Sequence, residues 1–159
     1  MNNENSAGSA REIENLIYRY AELIDQGELK GWAALFEHAD YCGQDGTVLA
    51  HGAKDVYTLQ CSYLRIYPDT GTPKTKHVTT NVIINMNEAG DTATSRSYFT
   101  IFQATGELPM QPITAGRYSD SFERVDGHWR FRSRQIILEL MGDLSKHLLI
   151  DVSDTVKDS

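Results

Sequence analysis

Two side chains of opposite acid–base character, Asp25 and His77, offer the clearest chemistry in this sequence. Asp25 falls in the last turn of a predicted helix, where its charge meets the negative end of the helix dipole. His77 lies on a predicted strand, and alternation places it on the same face as Asn81. Histidine moves protons near neutral pH, and a carboxylate bonded to one ring nitrogen leaves the other as a general base. The ordinary alternatives are a solvated helix-end aspartate and an exposed strand face.

Two further side chains are candidates for binding a substrate. Tyr20 lies on the apolar stripe of the same helix, where its hydroxyl either packs in the core or polarises a substrate oxygen. Arg134 is the last of three arginines in strict alternation, a pattern typical of a solvated face. A single arginine turned inward by a bulge would instead hold an anionic or carbonyl group. Tyr118 and Asp120 are in phase with each other and are expected to be core and network residues.

Signals for other kinds of chemistry are missing from the sequence. It has no nucleophile elbow, no phosphate-binding glycine loop and no dinucleotide fingerprint. The five histidines lack metal-ligand spacing, and His147 has no chemistry that the sequence explains. We therefore predict no cofactor and no metal. Cys42 and Cys61 are interpreted as reduced thiols in a cytoplasmic protein, although a single bridge between them stays open.

Composition excludes several classes of protein. The chain has 159 residues, of which 40% are hydrophobic, and a formal net charge of −7. This balance argues against broad binding to nucleic acid or to an anionic membrane. No apolar run approaches the roughly 20 residues of a membrane span, and the polar N-terminus lacks the apolar stretch of a secretory signal. We expect one soluble domain that acts on a small molecule.

The elements that must position these residues follow from hydrophobic periodicity. A polar tail over residues 1–9 precedes a helix that begins near Ser9 or Ala10, with Ser9 and Glu12 as a capping box, and ends at Gly27. Further helices are predicted over 28–36 and 52–67, separated by an irregular or short-strand region over 39–50. Strands are predicted over 76–86, 92–103, 112–125 and 128–140. The result is an α+β fold in which one curved sheet wraps around the first helix, followed by a polar tail over 151–159.

The order of short motifs resembles the SnoaL-like branch of the nuclear transport factor 2-like superfamily. The motifs are Tyr20-Ala-Glu-Leu-Ile-Asp25, Trp32-Ala-Ala-Leu-Phe36, His77-Val-Thr-Thr-Asn81, Gly116-Arg-Tyr-Ser-Asp120 and Phe122-Glu-Arg-Val-Asp-Gly-His-Trp-Arg-Phe131. The resemblance covers about residues 11–147 and implies a cone-shaped α+β barrel with a curved antiparallel sheet and a deep pocket. The domain proper would span 10–150.

The branch includes scytalone dehydratase, the lindane dehydrochlorinase, the bile acid 7α-dehydratase and polyketide cyclases. The resemblance implies that Asp25 pairs with His77, that Tyr20 enters the pocket, and that Arg134 matches a pocket arginine. Some members carry a further acid or histidine on the strand after the histidine strand. Here that stretch reads Tyr98-Phe99-Thr100-Ile101, with neither.

These observations favour a cofactor-free lyase or isomerase, dehydratase-like, acting on a small and largely apolar organic substrate. His77 and Asp25 would transfer the proton, while Tyr20, Asn81 and Arg134 would bind the substrate. The alternatives are a non-catalytic ligand-binding or dimerisation module and a polyketide-cyclase-type enzyme. Exposed hydrophobic strand faces predict a homodimer or homotrimer.

Overall fold

Within the residues that the structure describes, three helices precede and flank one six-stranded sheet. The computed structural model describes residues 3–152, with side chains from residue 6 onward. The elements in chain order are α1 Asn3–Asp25, α2 Leu29–Ala34, β1 Asp40–Cys42, β2 Val48–His51, α3 Gly52–Tyr63, β3 Thr75–Met86, β4 Thr92–Gln103, β5 Gln111–Val125 and β6 His128–Met141. The expected tails fall partly outside this range, at residues 1–2 and 153–159.

Helix α1 is longer than the sequence predicted at its start and ends where predicted. It begins at Asn3, so Ser9 is a buried residue inside the helix rather than its cap, and residues 3–9 are not a separate tail. Extending an existing helix costs far less than nucleating one, which allows the polar residues to continue it. The helix stops at Gly27, whose φ of 74° suits glycine. The amides of Gly27 and Glu28 donate to the carbonyls of Ile24 and Leu23, which closes the last turn.

The third helix ends earlier than expected. It stops at Tyr63 because Leu64 leaves the helix and forms an isolated antiparallel bridge with Leu148. The region predicted as irregular or short strands forms the hairpin of β1 and β2. None of the helices within residues 3–152 combines the length and apolar character needed to cross a bilayer.

The sheet is curved and unclosed, with strand order β2-β1-β6-β5-β4-β3. Strands β3 to β6 form an antiparallel meander whose bounds match the predicted strands to within one residue. The sheet is antiparallel, as expected, except that β1 runs parallel to β6. The chain reaches this pairing through the long excursion that contains α3 and β3 to β5, so no tight hairpin constrains its direction.

The apolar stripe of α1 lies against the sheet, as its spacing predicted. Ile13, Ile17, Tyr20 and Ile24 are all buried, and Trp32 of α2 packs beside them. Burying each large apolar side chain stabilises the fold by about 1.5–3 kcal/mol relative to exposure. This packing fixes the C-terminal end of α1, and therefore Asp25, against the first residues of β3.

Candidate active site

Asp25 and His77 are in direct contact where α1 ends and β3 begins. Nδ1 of His77 lies 2.6 Å from Oδ1 of Asp25, and the His77 backbone amide donates to Oδ2 at 2.8 Å. The Thr75 hydroxyl donates to Oδ1 at 2.8 Å. The two side chains are only 7% and 4% exposed. The carboxylate is therefore held from three directions, out of water.

The electrostatics keep this carboxylate ionised. Burial alone raises the pKa of Asp25, but the hydrogen bonds and charge of His77, together with the Thr75 bond, outweigh it and hold the pKa below its ordinary value. An ionised Asp25 accepts a hydrogen bond from Nδ1–H of His77, and this bond fixes the tautomer of the ring. Among the described residues, Nε2 of His77 has no hydrogen-bond partner, so it is the nitrogen available as a base.

His77 lines a cavity of about 120 Å³ between α1, the sheet and the segment after β6, here called the inner cavity. Its walls are mainly apolar, with Ile24, Phe99, Ile101, Ile136, Leu138, Leu144 and Leu148. Its polar lining consists of His77, His147, Gln60, Thr114 and the tyrosines 20, 41, 63 and 118. A cavity of roughly 150 Å³ holds a benzene-sized molecule. The inner cavity is thus suited to one small ring or a branched chain.

A second cavity of about 380 Å³ adjoins the first and is here called the outer cavity. The two share five wall residues, namely Tyr41, Tyr63, Ile136, Leu138 and Leu148. Gln44 anchors the β1–β2 turn beside it, since its side-chain amide bonds both the carbonyl and the amide of Leu138. Leu49 and Ile150 add apolar surface. Together the cavities offer a small reactive chamber and a larger apolar one.

Three of the four tyrosines that line the inner cavity are buried, namely Tyr20, Tyr41 and Tyr118. Burial raises the pKa of Tyr20, which Arg134 and hydrogen bonds with Tyr41 and Tyr118 only partly counter. Burial likewise raises the pKa of Tyr41 and Tyr118 well above its ordinary value. All three hydroxyls therefore stay protonated at neutral pH and can donate to a ligand oxygen. The structure places Tyr20 in the cavity, where the resemblance put it.

Arg134 turns inward, as the sequence allowed, but lies behind the cavity rather than in it. The pairing register of β5 with β6 shifts between Ser121 and Phe122. This shift leaves an extra residue on β6 and turns the following arginine of that strand, Arg134, into the core. Arg134 donates from Nε and Nη2 to both carboxylate oxygens of Asp120, at 2.8 and 2.7 Å. Its guanidinium carbon lies 4.2 and 4.0 Å from the ring centroids of Tyr20 and Tyr118. The guanidinium thus supports the tyrosines from behind.

Asn81 is a correction to the sequence prediction. It is exposed and has a φ of 55°, at a bulge where the pairing of β3 with β4 shifts between Thr80 and Ile83. The bulge reverses the alternation, so His77 and Thr79 share the inward side with Val82 and not with Asn81. Asparagine tolerates this left-handed conformation better than most residues. It does not line either cavity.

His147 is the residue that sequence reasoning missed. It lies in the irregular segment after β6, is 5% exposed and lines the inner cavity with its ring centroid 6.3 Å from that of His77. Burial, reinforced by nearby His77, lowers the pKa of His147 to about 3. No periodicity marks this segment. Long-range contacts, among them the bridge between Leu64 and Leu148, bring it over the cavity.

The described residues show no group of three or more metal-ligating side chains, and the two cysteines are free. Cys42 is buried in β1, while Cys61 is exposed on α3.

Comparisons with known proteins agree with this architecture. A variant of Rv3472, a protein of unknown function from Mycobacterium tuberculosis, has a TM-score of 0.71 and 24% identity over 97% of this chain and 85% of its own. A proposed scytalone dehydratase from Novosphingobium aromaticivorans has a TM-score of 0.69 and 23% identity over 88% and 90% of the two chains. A nuclear transport factor 2-like protein with a cystatin-like fold from the same organism has a TM-score of 0.69 and 22% identity over 83% and 82%.

These likenesses establish the fold. No curated protein matches the chain. The model of the SnoaL-like domain matches residues 6–135, most of the sequence. The chain therefore belongs to the SnoaL-like family, within the nuclear transport factor 2-like superfamily.

Proposed function

We propose that this protein is a cofactor-free lyase or isomerase that transfers a proton within a small, largely apolar organic substrate. The observation that carries the proposal is the 2.6 Å contact between Asp25 and Nδ1 of His77 at the wall of an apolar cavity. The non-catalytic alternative predicts these groups farther apart than one hydrogen bond or one bridging water. Their contact supports the catalytic reading.

In the proposed reaction, Nε2 of His77 removes a proton from a carbon next to an activating group. Asp25 orients the ring and stabilises the imidazolium that forms, as general acid–base catalysis requires. A tyrosine hydroxyl, with Tyr20 the first candidate, donates to the substrate oxygen. Such a base contributes about 10²- to 10⁴-fold to the rate. The outer cavity would bind the apolar part of a substrate that is too large for the inner cavity.

Hydrogen–deuterium exchange tests the proposal without knowledge of the natural substrate. The protein is incubated in D₂O with a panel of small ketones, such as cyclohexanone and cyclohexenone, and loss of the α-proton signal is followed by NMR. We expect exchange above the buffer rate with the wild type, and a fall of about 10²-fold or more in His77→Ala and Asp25→Asn. Full exchange in both variants, or none with the wild type across the panel, would sink the proposal.

The chain supplies a matched control. His51 and Asp40 form a second histidine–aspartate contact, with Nδ1 and Oδ1 2.7 Å apart, but their side chains are 65% and 42% exposed. The variants His51→Ala and Asp40→Asn remove the same chemical groups from a pair that lines neither cavity. They are expected to exchange at the wild-type rate.

A cyclase of the polyketide type would use the same cavity but form a carbon–carbon bond. Product analysis in labelled solvent separates it from a dehydratase. A dehydratase releases water and leaves a new double bond, whereas an aldol-type cyclase first joins two carbons of one chain. The small volume of the inner cavity supports the simpler proton transfer.

We also propose that copies of this chain associate through the outer face of the sheet. Val78, Ile83 and Tyr98 are 42%, 43% and 55% exposed on neighbouring strands, and Leu140 is 70% exposed on β6. Sedimentation velocity should show a dimer or trimer that Tyr98→Lys weakens. The control Met110→Lys changes a residue that is 71% exposed in the loop before β5, and it is expected to leave the assembly intact. A wild-type monomer would contradict the proposal.

A further inference from the structure

We propose that His147 is a hydrogen-bond donor to the substrate's oxygen, so that the inner cavity selects a carbonyl compound with an acidic C–H beside the carbonyl. This inference rests on the proposed function, because it takes His77 as the base. It adds the substrate class and a second histidine that contacts substrate.

The two imidazoles are neighbours on the wall of one small cavity. Their ring centroids lie 6.3 Å apart with the planes tilted by 60°, and both rings line the inner cavity. A carbonyl oxygen and an α-hydrogen belong to adjacent groups of one molecule. A ligand in the cavity that lies beside both rings can therefore reach one nitrogen of each at about 3 Å.

The two rings carry their protons on different nitrogens, Nδ1 in His77 and Nε2 in His147. Nδ1–H of His77 donates to the Asp25 carboxylate, which leaves Nε2 as an acceptor. Within the described part of the chain, Nδ1 of His147 is buried and without a partner. A buried donor without an acceptor is the rarer and costlier defect, so the proton of His147 belongs on Nε2. The cavity thus presents one acceptor and one N–H donor.

His147 also stays neutral, which makes it a donor that does not give up its proton. Burial, with the charge of nearby His77, disfavours its cationic form, and only Asp25 opposes this. A neutral imidazole N–H polarises a carbonyl without becoming a competing acid. The carbonyl oxygen has two lone pairs, so it can accept from His147 and from a tyrosine hydroxyl together.

The segment that carries His147 is held firmly although it is irregular. The His147 amide donates to the Leu144 carbonyl at 3.0 Å, and the Arg65 amide donates to the His147 carbonyl at 2.9 Å. The preceding carbonyl, of Lys146, accepts from the Tyr67 hydroxyl and from the Gln103 amide. These bonds fix the backbone on both sides of the ring. Such positioning is what a donor to a developing oxyanion requires.

The proposed step balances without any other reactant. The α-C–H bond breaks, its proton moves to Nε2 of His77, and the electron pair forms the carbon–carbon double bond of an enolate. The enolate oxygen carries the charge and accepts from Nε2–H of His147. In an isomerase, His77 returns the proton to another carbon. In a lyase, a β-hydroxyl departs with the proton as water while the carbonyl re-forms.

Binding of 4-nitrophenol tests the inference, because a phenolate oxygen on one ring imitates an enolate. Absorbance titration compares the wild type with His147→Leu, which removes the donor, and His147→Gln, whose amide N–H can replace Nε2–H. We expect leucine to weaken phenolate binding at least tenfold and glutamine to stay within about threefold of the wild type. Ketone exchange should fall about 10²- to 10³-fold in the leucine variant, as for the loss of one oxyanion donor.

Several results would overturn the inference. These are no binding of 4-nitrophenol to the wild type, equal binding by all three proteins, and equal loss in both variants. If His147→Leu does not fold, His147→Ala replaces it in the same comparison. Exchange that depends on His77 but not on His147 refutes this inference alone. Exchange that is independent of His77 refutes the proposed function itself.

Discussion

Among the described residues, the carboxylates of Asp25 and Asp120 are each buried against a basic partner, and only the first of these pairs faces a cavity. Asp25 meets His77 at 2.6 Å beside the inner cavity. Asp120 meets Arg134 through two hydrogen bonds, with both side chains fully buried. Aromatic rings from Tyr20, Tyr118 and Phe131 lie within 5.0 Å of the guanidinium. The first pair leaves one nitrogen facing a cavity, and the second is enclosed.

The two pairs differ in whether the basic partner can lose a proton. Burial lowers the pKa of Arg134, but the charge and hydrogen bonds of Asp120 outweigh it and hold the pKa above its ordinary value. A guanidinium in this setting never becomes a base. A neutral imidazole keeps one ring nitrogen that can accept a proton. Access to the cavity and an exchangeable proton together distinguish Asp25–His77, the proposed reactive pair, from Asp120–Arg134, the structural pair.

The largest expected effect comes from breaking the enclosed pair. Asp120→Asn leaves the Arg134 charge buried without a counter-ion, which should lower the free energy of unfolding by about 3–5 kcal/mol. Urea unfolding measures this. Replacing both partners, Asp120→Leu with Arg134→Met, should recover most of the loss because no charge is then buried. A single variant as stable as the wild type would show that the pair is not structural.

Breaking the reactive pair should cost less stability and more activity. Asp25→Asn loses charge-assisted hydrogen bonds from His77 and Thr75, worth about 1.5–3 kcal/mol in unfolding free energy. Exchange of ketone protons should nevertheless fall by about 10²-fold or more. Asp40→Asn, in the exposed counterpart, should change neither quantity. An Asp25 variant that is much less stable than Asp120→Asn would reverse the comparison.

The third buried group, His147, has no charged partner and should show itself in the pH dependence of stability. Its pKa is lowered to about 3, so the unfolded chain binds a proton below about pH 6.5 that the folded protein does not. Stability is therefore complete above pH 6.5 and falls by about 1.4 kcal/mol per pH unit below it. Asp25, whose pKa is also lowered, adds its own loss only at more acidic pH, below its ordinary value of 3.8.

Chemical denaturation at pH 7, 6, 5 and 4 measures this slope as the difference between wild type and His147→Gln. The glutamine variant has no imidazole at this position and should retain more of its stability on acidification. Parallel curves for the two proteins would mean that His147 is free to take up a proton in the fold.

The smallest expected effect concerns Asn81, which lies outside both pairs. Asn81→Ala puts a Cβ-bearing residue without a compensating side-chain bond at a φ of 55° and should cost about 1 kcal/mol of unfolding free energy. Asn81→Gly should cost nothing, since glycine accepts this conformation. Both variants should exchange ketone protons at the wild-type rate. A selective loss of exchange in either would return Asn81 to the site.

Sequence patterns predicted the sheet well because alternation is a local property. The strand bounds of β3 to β6 follow from it to within one residue, and the stop of α1 follows from Gly27. The dyad itself came from the resemblance, since no local pattern says that a helix end meets a given strand. Its geometry then depends on long-range packing of α1 on the sheet.

The errors in placing these site residues have one physical cause. Where the backbone is irregular, side chains follow no regular repeat along the sequence. The bulge at Asn81 shifts the pattern by one position, and alternation assigned that residue to the wrong face. The same kind of shift on β6 turned Arg134 inward, which the sequence allowed, but toward Asp120 instead of a substrate. His147 lies in a segment whose course is set by bonds to distant residues.

That last segment gives the site an order of assembly in time. As the chain is synthesised, Asp25 and His77 are both available once β3 has emerged, whereas His147 follows only after β6. The residues of the proposed base are therefore synthesised before the segment that carries His147. Leu148 and His147 both line the inner cavity, so the Leu64–Leu148 bridge joins the end of α3 to a cavity wall that is synthesised last.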